Sequence, residues 1–157
     1  MRGKTAKRRE PTSDSIYSNR MIAKLINRLM RDGKKTAAEN VVYKAFALIE
    51  KKNEKPLDVF DKALQNVGPK QEVKARRVGG ASYQIPIEVR GERKVSLAIR
   101  WIIAAARARS NKDHHTFEEK LALELMEAAQ NQGSAVKKRD TVQRTADANR
   151  AFAHFRW

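Results

Sequence analysis

Apolar residues recur at helical spacing through most of this 157-residue chain and at a spacing of two in one stretch. Ile22, Leu25, Ile26 and Leu29 fall at i, i+3, i+4 and i+7. Val42, Ala45, Phe46 and Ile49 form a second such stripe, and Leu57, Phe60, Leu64 and Val67 a third. Val95, Ala98, Ile99, Ile102 and Ala106 form a fourth, followed by Leu121, Leu125 and Ala128. A helix with one apolar stripe is stable only when the stripe is buried against another element. Between the third and fourth stripes, Tyr83, Ile85, Ile87 and Val89 alternate with Ser82, Gln84, Pro86 and Glu88. Val73, Ala75 and Arg77 alternate with Lys74 and Arg76 ahead of Gly79-Gly80, so the segment reads as a β-hairpin. The predicted fold class is mostly α: a single helical domain of about six helices, residues 19–157, with an extended β-hairpin at about 72–89 between the third and fourth helices. Length allows one domain with a real core, and no internal repeat points to a second.

The punctuation agrees with these elements. Gly33 is expected to stop the first helix, and Thr36-Ala37-Ala38-Glu39 to open the second as a capping box. Pro56 suits the first turn of the third, which Gly68-Pro69 ends. Thr116-Phe117-Glu118-Glu119 is a second capping box, and Gly133 separates the fifth helix from a last one starting near Ser134. For the hairpin, a two-residue Gly79-Gly80 turn would place Arg76 opposite Tyr83 and Lys74 opposite Ile85, mixing polar and apolar faces. A three-residue loop through Ala81 places Ala75 opposite Ile85 and Val73 opposite Ile87, leaving Lys74, Arg76 and Gln84 on an outer face. A one-residue slip exchanges the faces of a strand, and the three-residue loop is the expectation.

Charge narrows the function. Lys+Arg number 34 against 18 Asp+Glu, a net +16, and self-repulsion of that size is relieved by a polyanion. The excess is segregated. Residues 1–35 carry 11 basic and 3 acidic side chains, residues 95–112 carry 4 and none, and residues 113–132 reverse to 1 and 5. A folded body with one basic side is implied. The longest apolar run, Trp101 to Ala106, is six residues, far short of the roughly 20 a membrane span needs. The basic N-terminus lacks the apolar core of a secretory signal, and the chain has no cysteine.

Catalytic and metal chemistry finds no constellation. Gly33-Lys34-Lys35-Thr36 lacks the strand and leading glycine of a phosphate-binding loop. His114 and His115 diverge and have no third ligand at a sensible spacing, His154 lies far away, and no nucleophile, base and orienting group can be assembled. The expectation is no enzyme, no metal and no cofactor. A helix-turn-helix DNA-binding protein is the rival class, but no short polar recognition helix is paired with an apolar partner.

Candidate nucleic-acid contacts follow from the clusters. Residues 1–18 read as a basic arm carrying Arg2, Lys4, Lys7, Arg8 and Arg9. Lys34 and Lys35 follow the first helix. Lys74, Arg76 and Arg77 belong to the hairpin, and Arg93, Arg100 and Arg107 are spaced by seven so that they line one helix. No acidic residue stands between positions 93 and 112, and all of these are expected to meet RNA phosphates.

Several runs carry a resemblance. Lys24-Leu25-Ile26-Asn27-Arg28-Leu29-Met30 with Asp32-Gly33-Lys34-Lys35, Pro56-Leu57-Asp58-Val59-Phe60, Val73 to Pro86 (VKARRVGGASYQIP), Ala135 to Asp140 and Ala148 to Trp157 together resemble the small-subunit ribosomal protein seven family of bacterial and organellar type. The segment Asn111 to His115 departs from the family's pattern. The resemblance covers nearly the whole chain and implies a cytoplasmic, ribosome-bound protein without enzymatic activity. It implies a primary binder of the 16S rRNA 3′ major domain that nucleates assembly of the subunit head. It also implies that Gly79, Gly80, Ser82 and Tyr83 of the hairpin, and Lys137, Lys138, Arg139 and Arg144 near the C-terminus, approach exit-site tRNA and mRNA. Small-subunit ribosomal proteins nine and eleven are the implied protein neighbours.

Overall fold

The computed structural model describes Gly3 and residues 11–155, less the side chain of Val78. Among them the order is α1 (Arg20–Leu29), α2 (Lys35–Glu50), α3 (Pro56–Val67), β1 (Gln71–Val78), β2 (Ala81–Glu88), α4 (Gly91–Ala108), α5 (Phe117–Ala129), α6 (Ser134–Ala148) and a terminal 3₁₀ helix (Arg150–Phe155). The mostly helical class and the hairpin's place between α3 and α4 are as expected, with the 3₁₀ helix an addition.

The stripes read from the sequence meet in one core. α5 packs on α2, α3 and α4, and its Leu121 and Leu125 are fully buried beside Phe46 of α2 and Phe60 of α3. The rings of Phe46 and Phe60 lie 5.9 Å apart between centroids. Each fully buried side chain of this size contributes on the order of 1.5–3 kcal/mol through lost apolar surface. α1 lays Ile22, Leu25, Ile26 and Leu29 onto this core, leaving its polar face outward. Every apolar position of the α4 stripe is buried except Val95, which packs at the margin.

Local signals fared unequally. Pro56 opens α3 and Gly68 caps its end as expected, and α6 begins at Ser134 after Gly133. Thr36 is not the cap of α2. The helix starts two residues earlier, with Lys34 in the capping position and no side-chain bond there, while Glu39 pairs with Lys35 at 3.5 Å. Gly33 does not end α1 either. The helix stops at Leu29, and Gly33 (φ +72°) with Asp32 (φ +52°) forms the turn beyond it. Thr116 does occupy the cap position of α5, but its side chain makes no capping bond.

The hairpin register corrects the three-residue expectation. Val78 pairs with Ala81, Arg76 with Tyr83, Lys74 with Ile85 and Glu72 with Ile87, closed by a two-residue Gly79-Gly80 turn. Both glycines have positive φ (+58° and +88°), the conformation whose twist matches paired strands and which glycine adopts without a Cβ penalty. Lys74 and Arg76 therefore share a face with Tyr83 and Ile85, while Gln84 lies on the other face opposite Ala75. A mixed face is tolerable because long basic side chains lay apolar stems along a surface and keep their charges in water. α6 and the 3₁₀ helix cover the hairpin. Phe152 and Phe155 stack on Tyr83 at centroid distances of 5.2 and 5.4 Å.

Candidate nucleic-acid interface

The exposed basic side chains among the candidate contacts lie on α1, the turn behind it, the start of α2, the hairpin, α4 and α6. On α1 the apolar stripe faces the core, so the opposite face carries Arg20, Lys24, Asn27 and Arg28. That face borders a cleft of about 850 Å³, walled on the far side by Gly91, Glu92, Ser96 and Ile99 of α4. The arginine line of α4 runs along the flank of this wall. Lys24, Arg28 and Arg31 were not singled out from the sequence, because α1 was read for its stripe. The same periodicity that buries Leu25 and Ile26 exposes Arg28 and could have found them.

The structure sorts the predicted cations by their company. Lys34, Lys74, Arg77, Arg100, Lys137, Lys138 and Arg144 are exposed, and none has an ion-pair partner among the described residues. Arg107 is also without an acid. Its Nη2 donates to the Leu29 carbonyl at the end of α1 at 3.3 Å. Shielding of its head, and then the charges of Arg31 and Arg28, hold its pKa below the usual guanidinium value. Arg76 is exposed on the hairpin face that it shares with Lys74 and Tyr83. Lys35 is partly compensated by Glu39. Arg93 was expected to lack an acid because none follows it nearby in sequence, but Glu72 of β1 reaches it at 3.1 Å. Arg139 donates to Asp140, to the carbonyl of Asn66 at 2.6 Å and to Asn131 at 2.8 Å, so it ties α6 to the end of α3. Tyr83 lies under the C-terminal aromatics, with Gly79, Gly80 and Ser82 exposed at the tip. Arg2, Lys4, Lys7, Arg8 and Arg9 lie outside the described residues.

The acidic stretch 113–132 turns toward the chain's own cations. Glu124 is fully buried, accepts from Arg109 Nε at 2.8 Å and from the Ala135 backbone N–H at 2.9 Å, and so joins α4, α5 and α6. Glu127 completes the arginine's pairing. Burial alone would lower the pKa of Arg109, but the bonds to Glu127 and Glu124 outweigh it and raise the value. Glu118 faces Lys44 at 3.8 Å. These acids neutralise one part of the body and leave the α1–α4 side positive.

Residues expected within the arm also prove to be anchored. Asp14 is buried, accepts the Tyr43 hydroxyl at 2.7 Å and the backbone N–H groups of Tyr17 and Ile16 at 3.2 and 3.3 Å. Tyr17 sets its ring edge-on to Phe46 at 5.4 Å. The segment from Asp14 to Tyr17 is thus fixed to α2, and Pro11 lies at the rim of the cleft.

Basic side chains clustered on a ribbon and on helix faces are the footprint of nucleic-acid recognition. Residues 1–150 match the family described as Ribosomal protein S7p/S5e. The chain is 53% identical over 153 residues to the small ribosomal subunit protein uS7 of Azorhizobium caulinodans, covering 97% of this chain and 96% of the relative. It is 54% identical over 152 residues to that of Caldicellulosiruptor saccharolyticus, covering 96% of each. It is 52% identical over 158 residues to that of Thermotoga neapolitana, covering 100% of both. A basic helical body with one glycine-turned hairpin, matched along its length at this identity, places the chain in the ribosomal protein S7p/S5e family.

Proposed function

We propose that the protein is a structural, non-enzymatic component of the small ribosomal subunit in the cytoplasm, and that it binds 16S rRNA in the 3′ major domain and nucleates assembly of the subunit head. The observation that carries this reading is that Lys34, Lys74, Arg77, Arg100 and Arg107, on the turn behind α1, the hairpin and α4, have no acidic partner among the described residues. Such a surface gains most from phosphates that RNA folding brings close together, since each neutralised phosphate releases condensed counterions. Structured RNA is recognised mainly by shape and backbone, which suits a face of arginines and lysines with few groups placed to read bases. Lys34, Arg100 and Arg107 are its contacts, joined by Lys24 and Arg28, with the hairpin contributing Lys74 and Arg76 from one face and Arg77 from the other, and Arg2, Lys4, Lys7, Arg8 and Arg9 of the arm extending it. Lys35 contributes weakly because of Glu39. Arg93 is held by Glu72, so it supports the hairpin base and leaves the direct contacts to Arg100 and Arg107.

The exposed hairpin tip (Gly79, Gly80, Ser82) and the exposed Lys137, Lys138 and Arg144 of α6 lie on connected elements. That continuity supports one surface directed to exit-site tRNA and mRNA, with Tyr83 and Arg139 holding it in shape. Ribosomal proteins nine and eleven are the proposed protein neighbours. The deciding experiment is a salt titration of binding to the isolated 16S 3′ major domain, with duplex DNA as competitor. The expected result is log K falling with log salt at about 0.7 to 0.9 per phosphate contact over several contacts, with DNA competing poorly. A nearly flat slope excludes the mechanism, and equal competition by DNA excludes the RNA preference.

A further inference from the structure

Three arginines converge where α1 ends. Arg28 sits in the last turn of α1, and Arg31 opens the turn that Asp32 and Gly33 fold through positive φ. Arg107 arrives from the last turn of α4. The Arg107 Nη2 bond to the Leu29 carbonyl at 3.3 Å sets its guanidinium against a residue one position along the chain from Arg28 and two from Arg31. No ion-pair partner approaches any of them among the described residues, although Asp32 is next in sequence to Arg31. Folding thus holds like charges together without an internal acid. Arg107 is also oriented in advance, because its Nη2 bond to the Leu29 carbonyl uses one of five guanidinium N–H donors and leaves the others available.

We infer that Arg28, Arg31 and Arg107 form a preorganised notch for a single phosphate group at the C-terminal end of α1. This deepens the RNA-binding reading and rests on it for the identity of the phosphate as one of the RNA backbone. A carboxylate offers two oxygens in one plane and satisfies one arginine fork. A tetrahedral phosphate presents oxygens in several directions and accepts forks from different sides, the geometry that arginine and not lysine matches. Occupancy relieves the repulsion among the three arginines, so this position contributes more than an isolated lysine on the same face.

The test uses the full-length protein, its Arg31→Gln, Arg107→Gln and double variants, and tripolyphosphate as a probe at constant ionic strength. Arg31 is exposed and lies between helices, so its variant reports on the notch even if Arg107→Gln loosens the end of α1. The expected result is that tripolyphosphate moves the Nε–H resonances of Arg28, Arg31 and Arg107 together with one apparent Kd. Each single variant weakens that binding about tenfold, the loss of about one charge-assisted contact. In RNA titrations the salt slope changes little in either single variant, because two arginines still hold the shared phosphate, and the double variant loses at most one contact, about 0.7 to 0.9. Resonances that do not move, binding unchanged in Arg31→Gln, or a double variant that loses the slope of two contacts overturns the notch. If the resonances move while wild-type RNA binding has a flat slope, the notch stands as a polyphosphate site and the RNA reading fails. If the RNA slope is steep and the resonances stay, the RNA reading stands and the notch fails.

Discussion

Arg107 and Arg109 stand two positions apart at the end of α4 and have opposite roles. Arg109 is pulled inward by the buried Glu124 and by Glu127, whereas Arg107 donates to the backbone carbonyl of Leu29 and has no acid beside it among the described residues. Breaking a buried ion pair strands its partner's charge, so Arg109→Ala should lower the unfolding free energy by about 3–5 kcal/mol. Urea denaturation checks the loss, and the salt slope of RNA binding should not change. Asp14 gives a pH prediction. Burial pushes its carboxyl up, but the Tyr43 hydroxyl and the backbone N–H groups of Tyr17 and Ile16 outweigh this and hold it below the ordinary carboxylate value. A carboxyl more acidic in the folded protein stabilises it fully above the unfolded pKa, about 3.9, and that contribution disappears as pH falls through the folded value. Urea midpoints measured from neutral to acidic pH should therefore fall less steeply for Asp14→Asn than for wild type. An identical profile would remove Asp14 from the account.

At the scale of elements, the hairpin is a ribbon whose order depends on the C-terminus. A two-stranded hairpin is marginal alone, and this one gains Tyr83 against Phe152 and Phe155. Aromatic pairs contribute about 0.5–1.5 kcal/mol each beyond burial. Replacing both phenylalanines by alanine should accelerate amide exchange in β1 and β2 by about tenfold while α2 and α5 keep their protection. Equal loss throughout the chain would mean that the 3₁₀ helix supports the whole body. The period-two pattern made the strands and their place legible, but their pairing was not. Register followed from the φ > 0 geometry of Gly79 and Gly80 and from the aromatic cover on Tyr83, and neither is visible in the alternation of residues. Thr36 failed as a cap for a related reason. The turn through Asp32 and Gly33 at positive φ already brings the chain into the helix at Lys35, so Thr36 lies inside the first turn with its side chain exposed.

Across the whole molecule, +16 charges are divided between a body that neutralises part of them and a face that does not. Because the chain is anchored at Asp14 and Tyr17, removing residues 1–9 should leave the helical content and thermal midpoint unchanged. RNA affinity should fall and the salt slope should become shallower by several contacts. Circular dichroism with filter binding tests this, and unfolding on truncation would make the arm structural. The sequence by itself determined the kinds of element, their order, the apolar stripes and the total charge, because periodicity is local and charge is additive. Tertiary structure decided which cations stay available. Glu72 reaches Arg93 across 21 positions, Glu124 reaches Arg109 across 15, and Arg107 meets the end of α1 across 78. Coulomb energy depends on distance in space, and only the packed chain sets those distances.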